Sequence, residues 1–284
     1  MLARMVGEPL AGGMGNRGAV VRAGDTVSRP VGDHSAAVSV LLSHLAAAGF
    51  PAPVPTGRPE DGRETFRWIE GDVPVPPYPG WSLTDGALAS VGRLLRRYHE
   101  AVRSFSPPAD ATWSDEVADP DGGPIVCHND VCPENVVFRD GEAVALLDFD
   151  LAAPGRPLWD VAQAARMWIP LIPAEVSGDR ADLDRFRRLA VLAHAYGLAV
   201  AEHRPFVDAV ITSKRVGTRF VQRRVAAGEQ ALVEAWEQRG GQPGDERLIV
   251  WLEDNRAAFL QALRTDASGG KSAMVGQALP PPTG

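Results

Sequence analysis

Between Cys127 and Asp150 the chain reads CHNDVCPENVVFRDGEAVALLDFD. No other stretch restricts the possible folds as strongly. Two apolar runs, Val136–Phe138 and Ala143–Leu147, flank Arg139-Asp140-Gly141, and turn residues between short apolar runs predict a hairpin. Asp130 and Asn135 lie in the loop entering the first strand, and Asp148 closes the second. Neighbouring antiparallel strands bring residues distant in sequence within a few ångströms. Asn135 and Asp148 are therefore expected to meet at one end of the hairpin, with Asp130 just outside. A carboxylate and an amide oxygen suit a hard cation such as Mg²⁺, completed by phosphate oxygens. A further carboxylate that does not bind the metal can accept a hydroxyl proton. Together these groups suit phosphoryl transfer to an alcohol, where catalysis is mostly positioning and charge neutralisation.

The surrounding pattern predicts an α+β chain in two lobes. Ala19–Arg22 and Thr26–Arg29 are β-prone and flank the turn residues Ala23-Gly24-Asp25. From Ser35 to Ala48, Val38, Leu41, Leu42 and Leu45 recur at helical spacing, and Gly49 ends the run. Arg63–Ile69 reads as a strand. The proline-rich run over 73–80 that follows can be neither helix nor central strand, so a lobe boundary is expected near residue 70. Thr84–Val102 reads as a second helix, 106–124 as a polar loop, and 182–202, 205–239 and 246–264 as helices. The expected division is an N-lobe over 1–70 and a C-lobe over 71–264. The Gly-, Ser- and Pro-rich 265–284 is expected to be a disordered tail.

Composition excludes several classes. Length and an apolar share of 45% suit a globular chain with its own core. A net charge of −7 argues against nucleic-acid binding. No apolar stretch approaches the roughly 20 residues of a membrane span. Two cysteines and the lack of a secretory signal suggest a cytoplasmic protein. The thiols of Cys127 and Cys132 beside His128 lack the four-ligand spacing of a zinc site, and an adjacent Cys–His pair does not face itself for nucleophilic catalysis. The arginine runs near 185–188 and 219–224 read as solvated helix faces. Trp159, Trp168, Trp236 and Trp251 read as helix-packing residues, and His194, Tyr196 and His203 as core or rim.

His128-Asn129-Asp130 with Asn135, then Leu147-Asp148-Phe149-Asp150, then LAAPGRPLWDVA with Asp160, resemble the catalytic loop, metal motif and downstream acid of the protein-kinase-like superfamily. The likeness is greatest to the aminoglycoside phosphotransferase and choline kinase branch, and the block from Cys127 to Leu171 is also similar to a group of actinobacterial phosphotransferases. The resemblance implies a two-lobed fold with a small antiparallel-sheet N-lobe and a larger, mostly helical C-lobe. It makes Asp130 the catalytic base or hydroxyl-orienting residue and His128 a brace of the catalytic loop. It gives Asn135 and Asp148 to Mg²⁺, and Asp160 to anchoring the loop. Gly13-Met14-Gly15-Asn16-Arg17-Gly18 would cover the phosphates of ATP or GTP, and the backbone of Trp68, Ile69 and Glu70 would meet the purine edge.

The chain departs from the family pattern in the N-lobe. Its two lysines are Lys214 and Lys271, so the expected phosphate-pairing lysine is missing and Arg29 stands near that position. Arginine is longer and planar, and does not replace lysine without a geometric change. The helix after it, SAAVSVLLSHLAAA, has no acid, so the usual ion pair is not expected. The leading expectation is a phosphotransferase acting on a hydroxyl of a small molecule. Acidic residues after Asp160 (Glu175, Asp179, Asp182, Asp184, Glu202, Asp208, Glu253, Asp254) favour a cationic acceptor such as an aminoglycoside, with a role in antibiotic resistance. The alternatives are a degenerate kinase acting as a regulatory or immunity protein, and a kinase of choline, homoserine, a sugar or a nucleoside antibiotic.

Overall fold

The structure is a computed structural model and describes residues 7–10, 19–57 and 62–265. Gly13, Gly15 and Gly18, and the expected tail beyond Thr265, lie outside the described residues. The N-terminal part is a four-stranded antiparallel sheet of β1 (Glu8–Pro9), β2 (Val21–Ala23), β3 (Thr26–Pro30) and β4 (Arg63–Arg67), in that spatial order. Gly24, at φ +60°, and Asp25 make the turn between β2 and β3. The turn is shorter than the sequence suggested because Ala23 still pairs with Thr26. In β4 the period-two alternation turns Glu64 and Phe66 inward. The strand ends at Arg67, short of Ile69, and the Trp68 amide extends its register by one bond, to the Asp25 carbonyl at 2.8 Å.

Helix α1 (Ser35–Ala47) covers the sheet with Val38, Leu41, Leu42 and Leu45, all buried. It ends where Gly49 takes φ +70°. The chain then returns through β4 and enters the proline-rich crossing. Gly71 is the pivot: at φ +140°, a Cβ there would lie 2.5 Å from both the Phe138 carbonyl and Val137 Cγ1. Only glycine allows the crossing to press so closely on the catalytic hairpin.

Helix α2 (Asp85–Val102) starts at Thr84, whose hydroxyl caps the Ala87 amide at 3.1 Å. Its apolar stripe, Leu88, Val91, Leu95, Tyr98 and Val102, forms the spine of the C-lobe core. Four short strands follow: β5 (Ile125–Cys127), β6 (Val136–Arg139), β7 (Glu142–Leu146) and β8 (Ala153–Gly155). Strand β6 pairs with β7 and β5 with β8, both antiparallel. Asp140 and Gly141 join the first pair at φ +52° and +78°, the left-handed pair that an Asp-Gly turn favours. The rest is helical: α3 (Pro157–Trp168), α4 (Arg185–Tyr196), α5 (His203–Ala226), α6 (Gln230–Gln238), α7 (Gly241–Asp254) and α8 (Arg256–Ala262).

The helical tail is more divided than apolar spacing suggested. The 205–239 reading covers two helices, because Gly228 turns left-handed at φ +80° and closes α5. Gly197 ends α4 in the same way at φ +88°, so the 182–202 helix is shorter than expected. The 246–264 reading covers the end of α7 and all of α8, divided at Asn255. One hydrophobic core runs from α1 and Phe66 through Tyr98 and Phe149 to Phe206 and Phe259, so the two lobes share their interior. Tyr98 is fully buried, and its hydroxyl donates to the Val126 carbonyl at 2.9 Å. Tyr98→Phe removes only that oxygen and leaves the carbonyl unpaired. It is expected to lower stability by about 1–3 kcal/mol, read as a reduced urea midpoint with an unchanged slope.

Candidate active site

The catalytic loop is held from beneath by one buried acid. Asp160, in the first turn of α3, is fully buried. Its Oδ2 accepts the His128 amide at 2.8 Å and its Oδ1 the Asn129 amide at 2.8 Å. His99 Nε2 contacts Oδ2 at 3.0 Å, and His99 Nδ1 lies 2.8 Å from the Tyr196 hydroxyl. Burial alone would push this carboxyl up, but the His99 hydrogen bond, the neighbouring His99 and His128 rings and the loop amide hold it below the usual carboxylate range. Asn129 takes φ +65°, uncommon outside glycine. Its amide is held by Asp160, and its side chain donates to the Leu151 carbonyl at 3.0 Å.

His128 ties this loop to the neighbouring strand. Its Nδ1 accepts the Asp130 amide at 3.2 Å, so Nε2 carries the hydrogen that reaches the Leu147 carbonyl at 2.8 Å. The ring is fully buried and packs on Phe149, with centroids 4.4 Å apart. Burial disfavours its charged form and lowers its pKa. The imidazole thus joins Asp130 to the residue before Asp148 without entering the cleft.

Asp130, Asn135 and Asp148 converge as the hairpin geometry implied. Asn135 Nδ2 donates to Asp130 Oδ2 at 2.8 Å and to the Asp130 carbonyl at 2.9 Å. Its Oδ1 is left without a donor among the described residues. The Asn135 carbonyl accepts the Leu147 amide at 2.8 Å, placing Asp148 alongside. Burial and then the Asp148 charge push the Asp130 carboxyl up to about 7, opposed by Arg166 and by the Asn135 hydrogen bond. Asn135 and Asp148 both line a cavity of about 300 Å³ between the sheet and the hairpin. Its apolar walls are Val27, Val38, Leu42, Phe66 and Phe149, and the connection Trp68–Ile69 forms its rim. An amide and a carboxylate oxygen open to one polar cleft fit the few-protein-ligand habit of Mg²⁺.

Arg29 is not a solvated strand residue. Its side chain is 12% exposed and holds three carboxylates. Nε meets Glu64 at 2.8 Å, Nη2 meets Asp150 at 2.7 Å, and Nη1 meets Asp148 at 3.3 Å. Burial would lower its pKa, but Asp150, Asp148 and Glu64 together raise it. The helix supplies no acid to Arg29, yet Arg29 is not unpaired. The acid comes from strand β4 instead of the helix, because Arg29 and Glu64 face each other in the β3–β4 register. Helix α1 still takes part: the Ser35 hydroxyl, in its first turn, donates to Glu64 at 3.0 Å. The inward alternation of Glu64 and Phe66 in RETFR was a usable signal for this pairing. Asp150, standing where the metal motif usually has glycine, supplies the third leg.

At the rim, Trp68 Nε1 donates to Glu70 Oε2 at 2.8 Å and Arg22 lies 3.9 Å over the Trp68 ring. The Trp68 amide and the Glu70 carbonyl are taken by Asp25 and Arg139. The Trp68 carbonyl, both backbone groups of Ile69 and the Glu70 amide have no partner among the described residues and are available to a purine edge. Cys127 donates to the Arg156 carbonyl at 3.3 Å, and burial raises both thiols well above their usual range.

The fold is of the protein-kinase-like class. A family model described as the phosphotransferase enzyme family matches residues 109–194. The trifolitoxin immunity protein of Rhizobium leguminosarum bv. trifolii is 37% identical over 207 residues, covering 70% of this chain and 77% of that protein. Among solved structures, a choline/ethanolamine kinase family protein from Mesorhizobium loti superposes with a TM-score of 0.58 at 18% identity, covering 86% of this chain and 88% of that one. The GDP complex of an aminoglycoside 2'-phosphotransferase-IIIa gives 0.54 at 15% identity, over 88% and 92%. The chain belongs to the family of this immunity protein and carries a phosphotransferase enzyme family domain over 109–194.

Breaking a buried ion pair leaves an uncompensated charge, so Glu64→Ala is expected to destabilise the protein by about 3–5 kcal/mol, measured by denaturant unfolding. The milder Glu64→Gln removes the charge that aims Arg29. It is expected to weaken Mg·nucleotide binding about tenfold in calorimetry. Unchanged affinity would show that Glu64 does not orient Arg29.

Proposed function

We propose that this protein transfers the γ-phosphoryl group of ATP or GTP to a hydroxyl of a small molecule. The observation that carries the reading is that Asn135 and Asp148 line one cleft with Asn135 hydrogen-bonded to the Asp130 carboxylate beside it. The nucleotide would lie between 1–70 and 71–264, its base against the Trp68–Glu70 backbone and its phosphates toward Arg29. Asn135 and Asp148 would hold Mg²⁺, which supplies charge neutralisation on the phosphates when bound. Asp130 orients the acceptor hydroxyl and takes its proton as the acceptor oxygen bonds to the γ-phosphorus. The bond from that phosphorus to the bridging oxygen breaks, and the diphosphate leaves. His128 and Asp160 act by positioning, since both are buried in the loop framework. Of the N-lobe departures, the missing lysine is met by Arg29 and the missing helix acid by Glu64.

The acceptor class is open to more than one reading. The likeness to an immunity protein favours, as a second reading, a kinase-like protein that protects its host from a toxin. Labelled phosphate transfer from ATP and from GTP to a panel of hydroxylated acceptors separates the two. Mg²⁺-dependent product with Asp130→Ala inactive and still nucleotide-binding supports the enzyme. Turnover by Asp130→Ala at the wild-type rate would overturn the assignment of the base. With the Asp130 carboxyl near 7, kcat/KM of the free enzyme is expected to rise with pH through about 7 as the base loses its proton. A profile flat from pH 5.5 to 8.5 would speak against Asp130 as the group that ionises.

A further inference from the structure

A cation lies close enough to Asp130 to act on its carboxyl. Arg166, on α3, is partly buried between α3 and α5. The Nε–Nη2 edge of its guanidinium faces Gln163 Oε1, with Nη2 at 3.1 Å and Nε at 3.4 Å. Its flat face lies on Gly217 of α5: a Cβ at that glycine would stand 3.1 Å from Cζ and Nη1. The head group is therefore clamped in place. Among the described residues no carboxylate lies within ion-pair distance of it. The neighbouring acid, Asp245 of α7, is already used: Lys214 meets it at 2.9 Å and the Thr218 hydroxyl at 2.7 Å. Lys214 is 15% exposed and Asp245 3%. The acids acting on Arg166 are Asp130 and Asp245; neither meets it directly, and its outer edge, from Nη1 to Nη2, has no partner among the described residues.

A partly desolvated cation with no direct ion pair is costly, and a clamped guanidinium edge matches the two oxygens of a carboxylate or phosphate. Several acids thought to attract a cationic acceptor are meanwhile engaged elsewhere. Asp184 caps α4, Glu202 accepts the Ala199 amide, Asp208 pairs with Arg256, and Glu253 pairs with Arg215. We propose that the acceptor carries an anionic group, a carboxylate or a phosphate, seated on the open edge of Arg166 with Lys214 behind it, while its hydroxyl lies at Asp130. This rests on the phosphotransferase reading above and narrows its substrate class to hydroxylated anions instead of polyamine sugars.

The test is calorimetric titration of the full chain with inorganic phosphate, with and without saturating Mg·AMP-PNP. Saturable binding at millimolar phosphate is expected. Arg166→Gln should weaken it about tenfold or more. Gly217→Leu keeps the charge but pushes the guanidinium off α5, and should weaken it too. Arg93→Gln, on an exposed pair with Glu142, should leave it unchanged. Phosphate binding that is absent, or indifferent to both Arg166→Gln and Gly217→Leu, overturns the proposal. If the protein binds phosphate through Arg166 but not Mg·AMP-PNP, the kinase reading fails and the anion site stands; the opposite result removes the site and leaves the kinase. In a turnover screen, glycerate and sugar phosphates should outperform kanamycin and choline. Arg166→Gln should raise KM for the anionic acceptors at least tenfold with kcat less affected. Turnover confined to the cationic acceptors would also overturn it.

Discussion

The buried carboxylate of Asp160 is the constraint on which the rest of the site depends. It draws two consecutive loop amides and a histidine onto one side chain, and so bends the backbone at Asn129 into a conformation it would not adopt alone. That bend aims Asp130 out of the loop, while His128 points inward to the next strand. Such an anion is tolerable in the interior only because its acceptor positions are filled. The catalytic geometry is thus a by-product of satisfying one buried charge. The second support is Asp119, which receives the Arg156 side chain at 2.7 Å and its amide at 3.0 Å, fixing the approach to α3.

Arg29 illustrates how a substitution at one position is absorbed at others. A guanidinium reaches further than an ammonium and presents several donors in a plane. Here it spans a strand acid, the acid that ends β7's neighbouring loop and the acid two residues beyond. The helix that would normally supply the partner carries no acid, and its His44 Nε2 reaches the Ala101 carbonyl at 2.9 Å. Charge has moved from the helix to the sheet while the cation stays at the cleft.

Much of this was readable in the sequence, for physical reasons. The Asp140-Gly141 turn and the apolar runs around it specify a hairpin locally, and a hairpin fixes which ends meet. The α2 stripe was readable because its period matches one buried face. Divisions in the helical part were harder, because apolar spacing continues across Gly228 and Asn255 although the backbone turns there. The partner of Arg29 was missed because strand register, not sequence distance, pairs Glu64 with it across 35 positions. Arg166 was passed over for a similar reason: its isolation depends on what α5 and α7 bring beside it. The glycine-rich loop lies outside the described residues, so its part in the cleft rests on sequence.

The arginine in the cleft also changes how the protein responds to chemical probes. Amine-reactive nucleotide analogues label kinases by acylating a neutral lysine beside the phosphates. Among the described residues the lysine is Lys214, on α5, where it lies against Asp245. Arg29 stays protonated under any physiological condition and offers no nucleophile. Activity-based surveys that identify kinases by lysine labelling would pass this protein over, and covalent inhibitors built on that lysine would spare it.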